Sequence, residues 1–202
     1  MQTMATYAAS VAALQPIVVP VFDALQAGLD AATEHHAHAG FARHRDPWYF
    51  AHTVRRVAAE RLRNLGVLAE AEDADRPYLA LSGLLIFHRD RAVRVLRSQE
   101  TRTGEIEVPV PGRSAARQRF WHQEPALDGM DTDNLLLLWR DDDGVLVEPL
   151  TLVRPVGGDH RRDSLALSWR GTLSREMAAM RAADLDELQP DAAWGRLGGE
   201  DL

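Results

Sequence analysis

The chain has 202 residues, of which 46% are hydrophobic and 26% charged, the size and composition of one soluble globular domain with a tail. All 23 basic residues are arginine and there is no cysteine, which excludes Schiff-base and pyridoxal phosphate chemistry, phosphate-loop lysines, thiol nucleophiles, thiolate metal sites and disulfide frameworks. Thirty acidic residues bring the net charge to −7, which argues against nucleic acid as a whole-surface partner but not against a local basic patch.

Met1 to Phe22 is uncharged but broken by prolines and polar residues. It lacks the basic start of a secretory signal and the roughly 20 consecutive apolar residues of a membrane span, so no membrane attachment and a cytoplasmic location are expected. Residues 1–15 read as a flexible N-terminus. From Pro16 to Gly40, Ile17, Val21, Leu25, Leu29 and Ala32 recur at helical spacing. Asp46 followed by Pro47 is a helix start, and Trp48, Ala51, Val54, Ala58, Leu62 and Leu65 share a face before Gly66. These two helices predict a helical hairpin over 16–66, with Trp48 packing it against the rest.

After an acidic linker (Glu70, Glu72, Asp73, Asp75) the pattern becomes strand-like. Leu84–Phe87 and Val93–Leu96 flank the polar run His88-Arg89-Asp90-Arg91 as a hairpin, and Glu105–Val108 alternates as an exposed strand before Pro109. Leu135–Trp139 and Val145–Val153 form a second hairpin around Asp141–Gly144, whose Asp-Gly tolerates positive φ. Leu165–Trp169 follows the loop Pro155–Asp163. Ser174 is the expected cap of a last helix reaching residue 189, with Met177, Met180 and Leu188 facing the sheet, and 190–202 read as an acidic flexible tail. The expected fold class is α+β in one domain over 16–189. It comprises an N-terminal helical hairpin, an antiparallel β-sheet of about five or six strands over 78–173, and a C-terminal helix over 174–189.

Three groups of residues carry candidate chemistry. Between Arg76 and Arg119, nine arginines stand against four acids, a local charge of +5 in a chain of −7. Arg89 and Arg91 lie on the first hairpin, while Arg113, Arg117 and Arg119 lead into Phe120-Trp121-His122. Guanidinium groups interleaved with aromatic rings suit an acidic protein surface or a phosphate backbone with bases to stack on, and Trp121 is the expected partly exposed hot spot.

The second group is histidine. His35 and His38 are spaced to share a helix face, and His44 and His52 follow, so a divalent metal held by His35, His38 and His52 with a carboxylate would support hydrolase or nuclease chemistry. The zinc-protease order His-Glu-x-x-His is absent, and a polar helix end explains the same residues. The third group, Asp128, Asp131 and Asp133, has oxygen ligands for a hard cation but departs from the calcium-loop pattern. No nucleophile elbow or dinucleotide fingerprint occurs.

Leu135–Trp139, Leu152-Val153-Arg154-Pro155-Val156-Gly157 and Leu165–Trp169 resemble segments of uncharacterised proteins of high-GC actinobacteria. The shared residues look like strand cores, so the resemblance implies no activity. The residues together predict a non-catalytic, regulatory binding module with no cofactor. It would act on a protein partner, or on another copy of itself, through Arg89, Arg91, Arg113, Arg117, Arg119 and Trp121. The alternatives are the metal-dependent hydrolase or nuclease, and a nucleic-acid-binding protein using the same basic segment.

Overall fold

The structure is a computed structural model that describes residues 5–42, 45–68, 83–102, 104–124 and 132–191. The acidic linker, His44, Arg76, Asp128, Asp131 and most of the acidic tail lie outside the described residues.

The segment expected to be a flexible N-terminus carries a helix, α1 (Tyr7–Leu14), capped where Thr6 Oγ1 accepts from Ala9 N at 3.2 Å. It is buried because Tyr7, Val11 and Leu14 form part of the core. A 3₁₀ turn (Gln15–Ile17) leads directly into α2 (Val18–Ala39), placing Pro16 near the turn's start, where a missing N–H is harmless. Tyr7–Ala39 thus forms one helical run of 33 residues with a window of mean hydropathy 1.6, enough by length and composition to cross a membrane. The sequence reading of Met1–Phe22 missed it, because the run extends past Phe22; 56% of that window is buried within the protein.

Gly40 at φ 68° ends α2 by turning the chain left-handed, so that Phe41 N donates to His36 O at 2.9 Å. The helix α3 (Pro47–Asn64) starts as its sequence predicts, with Asp46 Oδ1 accepting from Tyr49 N at 2.9 Å. The two long helices pack closely at Gly28, where a Cβ would meet the Val54 carbonyl oxygen at 2.5 Å.

The sheet contains β1 (Leu84–His88), β2 (Arg91–Arg97), β3 (Asp133–Trp139), β6 (Leu150–Asp159) and β7 (Ser164–Leu173), in the order β1-β2-β3-β6-β7. It is mixed rather than wholly antiparallel: β2 and β3 run parallel, in register from Arg91↔Asp133 to Arg97↔Trp139. Parallel neighbours need a crossover instead of a tight turn. The chain between them supplies it, carrying the helix α4 (Ala115–Trp121), which the sequence reading did not foresee. Glu105–Val108 lies on this crossover and makes only an isolated bridge, Glu100↔Ile106. The second hairpin is split: β4 (Asp141–Asp142) pairs β5 (Val145–Leu146) across Asp143 and Gly144, at φ 45° and 88°, before β6 begins.

Both faces of the sheet are covered. Val93, Val95, Leu135, Leu137, Trp139 and Leu152 face α1, α2 and α3 in one core. Leu85, Leu136, Leu138, Val153 and Leu167 face Phe120, Trp121 and the crossover in the other. Burial on both sides explains why β3 reads as an unbroken leucine run.

At the C-terminal end the expected long helix is a 3₁₀ turn (Arg175–Ala179) followed by α5 (Ala182–Asp186), and Ser174 makes no side-chain cap. The Gln15 amide donates to Met177 O at 2.9 Å and Met180 O at 2.6 Å, so these carbonyls take bonds from across the fold where the helix stops. The architecture is α+β: N-terminal helices, a mixed five-stranded sheet and a short C-terminal helix.

Candidate functional site

The arginines of the basic segment divide by the pleat of β2. Arg91 is 6% exposed and its Nη1 pairs with Asp90 at 2.6 Å. Its Nε lies 4.0 Å from Asp133 Oδ2, while Asp133 Oδ1 accepts from Arg154 Nε at 2.8 Å. This internal network ties the starts of β2 and β3 to the middle of β6. Burial pushes the Asp133 carboxyl up, against the pull of Arg154 and Arg91. Arg97 pairs with Asp141 at 3.0 Å, with its guanidinium 5.5 Å from the Phe50 ring centre.

Arg94 points to the opposite face and lies over the Trp121 ring at 5.0 Å. Its pKa falls to about 9 through burial first, then the nearby charges of Arg117 and Arg55. Of the first hairpin's two expected contact residues, Arg91 is therefore structural. Arg89 is exposed on the turn, at φ 54°.

Trp121 is not the expected surface hot spot. It is 1% exposed, packs in the second core, and donates from Nε1 to Pro109 O at 3.1 Å. A buried indole cannot stack on a base, so the aromatic half of the expected nucleic-acid surface is missing from this place. What Trp121 does is seat α4. A seven-residue helix is too short to persist alone, and three devices fix it. Ser114 Oγ accepts from Arg117 N at 3.3 Å, and Phe120 and Trp121 anchor the inner face. At the C-terminal end, Asn134 Nδ2 donates to Phe120 O at 3.1 Å and Glu124 O at 2.6 Å, while Gln123 Nε2 donates to Asn134 O at 2.8 Å.

With the inner face committed, helical spacing places Ala115, Gln118, Arg119 and His122 together on the outer one. Arg117 is half-buried against Gly112, where a Cβ would come 2.6 Å from its Nη1. Arg113 and Arg119 are exposed. The outer face meets the turn between β6 and β7, forming an open cleft of about 670 Å³ lined by Arg113, Gln118, His122, Asp159, His160 and Arg161. Two hydrogen bonds tie its walls together: Gln118 Nε2 donates to His160 Nδ1 at 3.2 Å, and His122 Nε2 to Gly158 O at 3.3 Å. Asp159, the carboxylate of the lining, is engaged within the turn, where its Oδ1 accepts from Arg161 N at 2.8 Å and its Oδ2 lies 3.8 Å from Arg162 Nε.

Sequence reasoning reached Arg113 and Arg119 but missed Asp159, His160 and Arg161, which it placed in an ordinary loop. The polar run Asp159–Asp163 was the available signal, but nothing in the sequence links it to a helix some forty residues earlier.

The expected metal ligands do not converge. Among the described residues, no three His, Asp or Glu side chains form a group able to hold an ion. His35 Nε2 bonds the Tyr49 hydroxyl at 2.9 Å on the exposed end of the helical hairpin, and His38 is exposed. His52 instead stacks on Trp48, with ring centres 5.2 Å apart and planes 4° apart. Burial first, then Arg55 and Arg56, holds the His52 pKa below its usual value. Trp48 itself is 65% exposed rather than packed between layers. His36, not proposed as a ligand, is the buried histidine among the described residues: its Nδ1 donates to Ala32 O at 2.9 Å amid Phe41, Tyr49 and Phe50. In comparisons with known proteins, the chain matches no family model, no curated protein and no solved structure.

Proposed function

We propose that this chain is a non-catalytic binding module that recognises an acidic segment of a partner protein through the outer face of α4 and the adjoining β6–β7 turn. The observation that carries the reading is the contrast between two sets of arginines. Arg91, Arg97, Arg154 and Arg175 are ion-paired within the fold. Arg113, Arg119 and Arg161 stand at the surface with no carboxylate within pairing distance among the described residues. In a chain of net charge −7, unneutralised cations on α4, on its approach and on the β6–β7 turn support a role for negative charge supplied from outside.

Fluorescence anisotropy with short peptides of graded Asp and Glu content tests the reading. Affinity should rise with peptide charge and fall with salt. It should be lost in an Arg113→Ala, Arg119→Ala, Arg161→Ala triple variant whose melting temperature stays close to that of the parent, since exposed substitutions rarely exceed about 0.5 kcal/mol. Arg61→Ala, an exposed position on α3, serves as the control. Undiminished binding by the triple variant, or binding of oligonucleotides in place of peptides, would remove the proposal.

A further inference from the structure

We infer that the cleft between the outer face of α4 and the β6–β7 turn takes a phosphate monoester dianion, a deepening that rests on the reading of this surface as a binding face. The donor inventory points there. Gln118 Nε2 can only donate, so His160 Nδ1 accepts and the neutral His160 ring carries its proton on Nε2. The Gly158 carbonyl can only accept, so the His122 proton sits on Nε2 and is used within the fold. The cleft therefore offers two guanidinium groups, Arg113 and Arg161, together with the His160 N–H. Its carboxylate, Asp159, accepts from the Arg161 backbone, is flanked by Arg162, and lies 3.9 Å from His160 Nδ1, the ring nitrogen turned away from the offered N–H.

The two cations come from separate elements, Arg113 from the approach to α4 and Arg161 from the β6–β7 turn. A carboxylate has two oxygens and is satisfied by one bidentate guanidinium. A phosphate monoester has three terminal oxygens and nearly two negative charges, which suits two guanidinium groups plus an imidazole donor. The walls are tied to one another by Gln118–His160 and His122–Gly158, so the frame of the cleft is already in place and binding orders chiefly the exposed Arg113 and Arg161 side chains. At about 670 Å³ the space exceeds a phosphate group and leaves room for the residue or small molecule that bears it.

The test is a titration of the full chain, following the His122 and His160 imidazole resonances by NMR. The probes are phenyl phosphate, inorganic phosphate, an acidic phosphoserine peptide, and the same peptide with serine or glutamate in place of phosphoserine. Phosphoserine should bind at least about tenfold more tightly than glutamate and shift the imidazole resonances. Arg113→Gln and Arg161→Gln should each remove about tenfold of that affinity while the circular dichroism spectrum is unchanged. Phenyl phosphate binding as tightly as the peptide would support the monoester and assign its source to a small molecule.

Equal affinity for the glutamate and phosphoserine peptides would overturn the phosphate inference and leave the acidic-segment reading standing. Phosphate binding without any response to acidic peptides would do the reverse. Imidazole resonances unmoved by millimolar phosphate and by every peptide would overturn both.

Discussion

Replacing Arg154 with methionine tests whether the buried charges of the sheet are structural. Arg154 and Asp133 leave 7% and 12% of their side chains exposed, with Nε and Oδ1 2.8 Å apart. Arg91 also faces that carboxylate, but at 4.0 Å. Methionine retains much of the arginine stem's packing without its charge, so the loss falls on a carboxylate left ionised in the interior. Breaking a buried pair by removing one partner costs about 3–5 kcal/mol.

That deficit has a pH signature. Burial already raises the Asp133 pKa above the ordinary carboxyl value of 3.8, with Arg154 and Arg91 opposing the rise. A carboxyl whose folded pKa is raised contributes its full stability below the unfolded value, and that contribution is lost as pH rises through the folded pKa. Without Arg154 the pKa climbs further, so neutrality becomes costlier by roughly 1.4 kcal/mol for each pH unit of climb. Urea unfolding of parent and variant, near pH 7 and again at about pH 3.5, reads the difference. The deficit should be large at the first and shrink at the second. A deficit that is equal at both, or larger in acid, would refute the assignment of Asp133 as the group left unpaired.

Trp121→Ala should cost about 3–5 kcal/mol in the same assay, as a large cavity under α4 does; unchanged stability with lost peptide binding would return Trp121 to the surface role its sequence context suggests. Gly28→Ala forces a methyl to 2.5 Å from the Val54 carbonyl oxygen and should cost about 1–3 kcal/mol by urea unfolding. Gly40→Ala meets nothing within 4 Å but must hold φ at 68°, so about 1–2 kcal/mol is expected. If Gly40→Ala proves the worse of the two, the close packing of α2 on α3 is not what limits position 28. Metal analysis of untagged protein should give the same content with and without the His35→Ala, His38→Ala pair; metal present in the parent and absent from the variant would reinstate a histidine centre.

Local chemistry was legible wherever a residue answers to its near neighbours. Asp46-Pro47 opens α3, Gly40 closes α2, and Asp143-Gly144 turns a hairpin, because capping and positive φ are decided within a few residues. The leucine run of β3 was legible as a strand, although that both its faces are covered was not drawn from it. Arg113 and Arg119 stood out by charge alone.

Tertiary structure decided the rest, since it depends on contacts between residues far apart in the chain. Whether β3 joins β2 parallel or antiparallel is set by where the crossover passes, and no residue within either strand encodes that. Arg91 and Arg94 look alike in sequence, yet the pleat sends one to Asp133 and the other to Trp121. Trp121 is buried because α4 has a second core to fill, which only the path of the crossover creates. The cleft exists because Gln118 and His122 on that helix bond His160 and Gly158 on a distant turn, a pairing across 42 and 36 residues that leaves no local pattern to read.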